Sequence, residues 1–190
     1  MTINASVTFG QDTGYENVAL RREFMTPEEA RDRAVEVFNK QKMLCSQAIV
    51  TAGLEFIGEE YPESAIRAAG GFAAGLGFYG DTCSCLVGAL SVIGDLFGRA
   101  SPEETEDGRL GPTARIMYKR FREMMEEMRG TIMCSGASKT NWLDPEDVKG
   151  FKVDGRRELC AEVVAGTADI LTHLIIETIG EKDLALLQEP

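Results

Sequence analysis

From residue 26 onward the apolar positions recur every three or four residues rather than every two. Ala30, Ala34, Val37 and Phe38 share one helical face behind Thr26-Pro27-Glu28-Glu29. In that tetrad Thr26 can cap, Pro27 suits the first helical position and Glu29 completes a capping box. Asn39-Lys40-Gln41-Lys42 breaks the run. Leu44, Ala48, Ile49 and Ala52 resume it, as a second helix or a continuation of the first, with Cys45 on the same face and expected to point inward. Tyr61-Pro62-Glu63 restarts a short helix through Ile66 and Ala69. Leu86 to Phe97 reads as an apolar helix in which Gly88, Ala89 and Ser91 permit close packing and Gly98 is the C-cap. Pro112 opens a helix whose Ile116, Met117, Phe121, Met124, Met125 and Met128 make one broad face, ended by Gly130. Methionines at that spacing read first as core filler. The last helix runs from Arg156 to about Ile179 on Leu159, Val163, Ala168, Leu171, Leu174, Ile175 and Thr178. Its His173, the lone histidine, reads as a satisfied core residue.

No alternation is strong enough to build a sheet. The pattern predicts an all-α fold, a single compact helical-bundle domain of about five to seven helices over residues 26–180. A short N-terminal arm, residues 1–25, precedes it; Val7 and Phe9 alternate there with Ser6 and Thr8 in the manner of one short strand. Residues 181–190 form a C-terminal tail that Leu184 and Leu187 could extend as helix. Residues 101–111 read as a charged connector, and 135–155 as a polar, turn-rich segment anchored by Trp142.

A length of 190 residues suits one domain, and 44% hydrophobic with 27% charged residues is globular composition. Asp and Glu outnumber Lys and Arg by 31 to 20, for a net charge of −11. That balance repels phosphate backbones and anionic lipid, so neither nucleic acid nor a membrane is an expected partner. The longest strongly apolar stretch is taken to be Leu86 to Phe97, well short of the roughly 20 residues that span a bilayer. The opening MTINASVTFGQDTGY has no basic or apolar signal-peptide region, which leads to the expectation of a cytoplasmic protein.

In a reducing compartment the cysteines change the picture. There are five, Cys45, Cys83, Cys85, Cys134 and Cys160, an odd number with no Cys-x-x-Cys pair. Zinc-finger, zinc-ribbon and thioredoxin-like spacings are thereby excluded, as is covalent haem through Cys-x-x-Cys-His. Static disulfides are unexpected, and several thiols then point to metal binding or redox chemistry, against the plain alternative of small buried hydrophobes. Each lies on an inner face or at a helix start, where the dipole and free N–H groups favour a thiolate. Gly70 to Gly80, with five glycines, permits close backbone approach but is neither a P-loop nor a dinucleotide fingerprint.

Cys45-Ser46-Gln47-Ala48, the Gly-rich segment, Cys83-Ser84-Cys85-Leu86-Val87-Gly88-Ala89, and the later single cysteines Cys134 and Cys160 occur in an order that resembles the C_GCAxxG_C_C family of redox-active proteins. The resemblance covers about residues 27–178. Ser84 stands where the motif has Gly, and Cys85 where it has Ala, adding a fifth thiol. The placement of the cysteines on inner faces or at helix starts leads to the expectation that Cys45, Cys83 or Cys85, Cys134 and Cys160 converge on one site. An iron–sulfur cluster for electron transfer, held by Cys45, Cys83, Cys134 and Cys160 with Cys85 spare or substituting, is the leading expectation. A thiol–disulfide oxidoreductase, in which Cys83 or Cys85 attacks, a zinc site, and a non-catalytic helical binding or oligomerisation module with no cofactor stand beside it. A homodimer is expected from the Met-rich face and the small-residue helix, with a redox protein as a further partner. Asp81 or Thr82 is the expected N-cap after which Cys83 sits at a loop–helix junction.

Overall fold

A computed structural model describes residues 25–59 and 63–188. Among them the chain forms nine α-helices: α1 (Pro27–Asn39), α2 (Cys45–Phe56), α3 (Glu63–Ala69), α4 (Ser84–Phe97), α5 (Leu110–Arg129), α6 (Cys134–Ser138), α7 (Pro145–Phe151), α8 (Arg156–Ile179) and α9 (Glu181–Gln188). A single 3₁₀ turn, Gly70–Phe72, follows α3, and the only extended pairing among the described residues is an isolated bridge between Thr82 and Met133. The fold is all-α, as the periodicity indicates. The arm with its Val7–Phe9 alternation lies outside the described residues, Met25 excepted.

The longest helix sets the arrangement. α8 packs against α1, α2, α4 and α5. Val163, Val164, Ala168, Leu171, Leu174 and Ile175 are all buried in those contacts. A helix enclosed on several sides must be apolar on several sides, so it shows little of the one-faced pattern of a surface helix. By length and composition alone α8 would be long enough to cross a membrane. It therefore exceeds Leu86–Phe97 as the longest apolar element, and its apolarity is accounted for by burial among four neighbours. One strip of α8 stays outside. His173 lies on it, not in the core: it is exposed, with Nδ1 2.9 Å from the Asp169 carbonyl oxygen. Glu177, one turn further, accepts both guanidinium nitrogens of Arg120 and ties α8 to α5.

Local signals account for the other boundaries. The capping box of α1 is complete, Glu29 N–H donating to Thr26 Oγ1 and Thr26 N–H to Glu29 Oε2. α5 begins at Leu110, two residues before Pro112, because a helix tolerates proline within its first turn, where no N–H partner is needed. Its apolar face is narrower than the composition suggests. Met117, Phe121 and Met125, four apart, are buried, whereas Met124 and Met128 are half-buried and Ile116 is exposed. Helix α4 buries Leu86, Gly88, Ala89, Val92 and Ile93 inside the chain.

Three short helices fall in segments read as loop or tail, so the helices outnumber expectation. α7 starts as Asp144-Pro145-Glu146-Asp147, an N-cap and first-turn signal, with Asp144 accepting from Glu146 N–H at 3.0 Å. Trp142 does anchor that segment, edge-on to Phe151 with ring centroids 4.9 Å apart. α9 buries Leu184 and leaves Leu187 exposed, and Gln188 Nε2 donates to the Phe56 carbonyl at 2.5 Å.

α2 and α4 approach closely at Gly88, where an added Cβ would stand 2.8 Å from the Ser46 carbonyl oxygen and 3.2 Å from Ile49 Cβ. Neither the backbone carbonyl nor the branched Cβ can yield without moving a helix. Gly88→Val should therefore destabilise the fold by about 1–3 kcal/mol. Urea unfolding should show a lower midpoint at an unchanged m-value; an unchanged midpoint would contradict the packing described.

Candidate functional site

Cys45 is the first residue of α2, Cys134 the first of α6, and Cys83 the N-cap of α4. Cys160 lies one turn into α8. Backbone and side-chain bonds fix these starts. Ser46 Oγ donates to the Ala69 carbonyl at 2.8 Å, and Gln47 Nε2 to the Ile66 carbonyl at 3.1 Å, so the polar residues after Cys45 fasten α2 to α3. Cys83 N–H donates to Ile132 O at 2.9 Å, Cys134 N–H to Asp81 O at 2.6 Å and Ser135 N–H to Gly80 O at 3.0 Å. These three bonds clamp the start of α4 to the start of α6. Cys83 does sit at the loop–helix junction, but it is itself the N-cap. The Asp81 carboxylate instead turns back on its neighbour, accepting from Thr82 N–H and Thr82 Oγ1.

The Gly-rich segment has an uncommon conformation. Ala74, Gly75, Leu76, Gly77 and Phe78 have φ of 52°, 75°, 57°, 66° and 65°, an unbroken left-handed run. Each of the three non-glycine residues costs roughly 1–2 kcal/mol in that region. Gly75 has a second constraint, since a Cβ there would stand 2.7 Å from Cys134 Cβ and 2.5 Å from Asp81 N. The run is held by Leu76 N–H to Phe72 O and Phe78 N–H to Ala73 O, both 2.9 Å, and by Ser84. The buried Ser84 hydroxyl accepts from Gly75 N–H at 2.9 Å and donates to the Phe72 carbonyl. The residue that replaces the motif glycine is thus the pin of the loop.

The loop delivers the Ala74 N–H to the Cys45 sulfur. The Cys85 thiol donates to the same sulfur and is the main reason that Cys45 is held down to about 7, against the opposing effect of burial. Cys85 is only 1% exposed, and the neighbouring Cys45 and Cys83 thiols together with burial push its own ionisation far up. Burial is the first cause at the other two. It raises Cys134, helped by the charges of Cys83, Cys45 and Cys160, and it raises Cys160 to about 12, moderated by Arg157 and Arg129. Cys83 and Cys85 lie at the start of α4, and Cys83 is joined through its backbone N–H to Ile132, two residues before Cys134.

Cys45, Cys134 and Cys160 line a cavity of about 280 Å³, walled by Phe38, Phe78, Trp142, Phe151, Lys152 and Arg157. Two of these residues carry more than the sequence reading gave them. The Trp142 indole N–H is buried and reaches no acceptor at hydrogen-bond distance, yet lies near enough to Cys134 to favour its thiolate. The Arg157 guanidinium stacks on the Phe38 ring at 3.9 Å and donates to the Phe38 and Met43 carbonyls. Burial lowers its ionisation while the adjacent Cys160 and Cys45 raise it. Arg157 precedes Cys160 by three residues on one helix, a spacing that puts both on one face and was available in the sequence. Among the described residues no three Cys, His, Asp or Glu side chains are grouped closely enough to chelate a single metal ion.

Cys45 should accordingly be the first cysteine alkylated by iodoacetamide, with a rate that climbs through about pH 7 as its thiolate forms. Cys85→Ala removes the leading stabilising hydrogen bond and should move that midpoint upward. An unmoved midpoint in the variant would rule out Cys85 as the cause.

A search of curated proteins and a search of solved structures each found no match. A comparison with protein families matched residues 43–174 to the family described as "Putative redox-active protein (C_GCAxxG_C_C)", a span that runs from the residue before Leu44, the N-cap of α2, to the buried core of α8. With that match over most of its length, the chain belongs to the C_GCAxxG_C_C family of redox-active proteins.

Proposed function

We propose that this chain is an electron-transfer protein whose Cys45, Cys83, Cys134 and Cys160 hold an iron–sulfur cluster. The observation that carries the reading is that thiols from three separate helices, Cys45, Cys134 and Cys160, line one cavity, while Cys83 at the start of α4 is clamped beside the start of α6. Four cysteines are the donor set of the common cluster types. The unpartnered Trp142 N–H and the Ala74 N–H are further donors of the kind that sulfur acceptors use. When bound, such a cluster supplies a one-electron carrier that needs no side-chain acid or base.

The remaining work falls to this chain's own residues. Phe38, Phe78, Trp142 and Phe151 exclude water from the cavity wall. Arg157 places a positive charge beside Cys45 and Cys160 and so offsets the charge of the deprotonated thiols. Ser84 keeps the left-handed loop closed over Cys45. Cys85 is the neighbour of two ligands and not one of the four.

Anaerobic reconstitution with ferrous iron and sulfide tests the reading. A brown product with bound iron and labile sulfide is expected. Serine at any of positions 45, 83, 134 or 160 should cut bound iron severalfold, while Cys85→Ser retains it. A colourless product with all five thiols still titratable would overturn the proposal. In loaded protein Arg157→Gln should lower the midpoint potential, because the reduced state carries more negative charge and loses the nearby cation.

A further inference from the structure

We propose that in the metal-free chain the cavity binds a small carboxylic acid with an aromatic body, its carboxylate held by Arg157 and Lys152 and its ring lying among the aromatic side chains of the wall. The charge of the wall sets the sign of the ligand. Arg157 and Lys152 line the cavity, and no Asp or Glu does. The chain as a whole has the opposite bias, 31 acidic residues to 20 basic. The flanking basic residues are paired, Arg156 with Asp147 and Asp154, and Lys149 with Glu146. Among the described residues, Arg157 and Lys152 have no carboxylate within salt-bridge reach. Arg157 uses Nη2 to donate to the Phe38 and Met43 carbonyls, which leaves Nε and Nη1 without an acceptor among the described residues. The Trp142 indole N–H, buried in the same wall, is a further donor with no acceptor at hydrogen-bond distance. An anionic oxygen is the partner that such donors bind most strongly.

The remainder of the wall sets the body of the ligand. Phe38, Phe78, Trp142 and Phe151 are aromatic. Trp142 and Phe151 meet edge-on with ring centroids 4.9 Å apart, and the guanidinium is fixed 3.9 Å over the Phe38 ring. Cation and apolar surface are thus both in place before a ligand arrives, which lowers the cost of binding. The volume, about 280 Å³, is just below the roughly 300 Å³ at which drug-sized pockets begin. That suits one ring with a short acidic arm and is too small for a nucleotide. Cys45 and Cys160 line the same cavity, so a bound acid stands against both thiols.

The site does not depend on the cluster reading, since it belongs to the metal-free chain. Where that reading also holds, acid and cluster compete for Arg157 and the Trp142 N–H, and occupancy by the acid delays cluster assembly.

Trp142 is the only tryptophan in the chain and lies in the cavity wall, so its fluorescence reports occupancy directly. Reduced, metal-free full-length chain titrated with benzoate should show a saturable change in that fluorescence, with the same dissociation constant by calorimetry. Benzamide, a neutral isostere, and acetate, which lacks the ring, should each bind at least about tenfold more weakly. Lys152→Gln, at an exposed position, and Arg157→Gln should each weaken benzoate severalfold, and Arg157→Lys should weaken it less than Arg157→Gln. Saturating benzoate should slow iodoacetamide alkylation of Cys45 and Cys160 severalfold, as located by peptide mapping. No saturable change, benzamide binding as tightly as benzoate, or a benzoate affinity indifferent to both glutamine variants would overturn the proposal. The first two comparisons use the unaltered chain, so they stand even if Arg157→Gln does not fold. A chain that loads no iron sinks the cluster reading and leaves the titration intact; in a chain that does load, benzoate should slow loading severalfold.

Discussion

Three core helices, α2, α4 and α8, pack on one another and begin at the same end of the bundle, where Cys45, Cys83 and Cys160 lie. Each helix start carries a partial positive charge and N–H groups without helical partners. Gathering three such ends is unfavourable unless negative charge or good acceptors are placed among them. Thiolate sulfur meets that need without the bulk of a carboxylate. The same constraint explains why the returning helices α1 and α5 carry no cysteine, and why the α6 start is clamped against α4 rather than left free. Burial opposes ionisation at Cys45, Cys134 and Cys160. At Cys45 an adjacent thiol, two backbone N–H groups and a hydroxyl outweigh it and favour the thiolate.

The bundle was legible in the sequence because its signals are local. Thr26 and Glu29 are three residues apart, and Gly98 and Gly130 end their helices where the apolar rhythm stops. The placement of Cys45, Cys83 and Cys134 at helix starts was legible in the same way. What stayed hidden depends on partners distant in the chain. The glycines of 70–80 announced unusual backbone, but not that Ala74, Leu76 and Phe78 would share the left-handed region, because Ser84, ten residues after Ala74, holds the run closed. Periodicity is mute for α6, with five residues, and for α7, with seven, although the Asp-Pro start of α7 was readable. His173 was misplaced because α8 is apolar nearly all round, so the spacing of its apolar residues does not say which narrow strip meets water.

The left-handed run also makes the stability of the molecule uneven. Three residues with side chains are kept in the mirror-image basin by a handful of hydrogen bonds, whereas the helices behind them are secured by deep apolar burial. Releasing residues 74–78 relieves backbone strain, and the helices need not separate for this to happen. The free energy of such a local opening is therefore lower than that of global unfolding by the amount stored in the loop. Phe78, 46% exposed at the cavity rim, would swing away with it and widen the mouth over Cys45. The handedness of the chain's own amino acids thus makes this loop, rather than the bundle behind it, the part of the wall over Cys45 that local opening would release first.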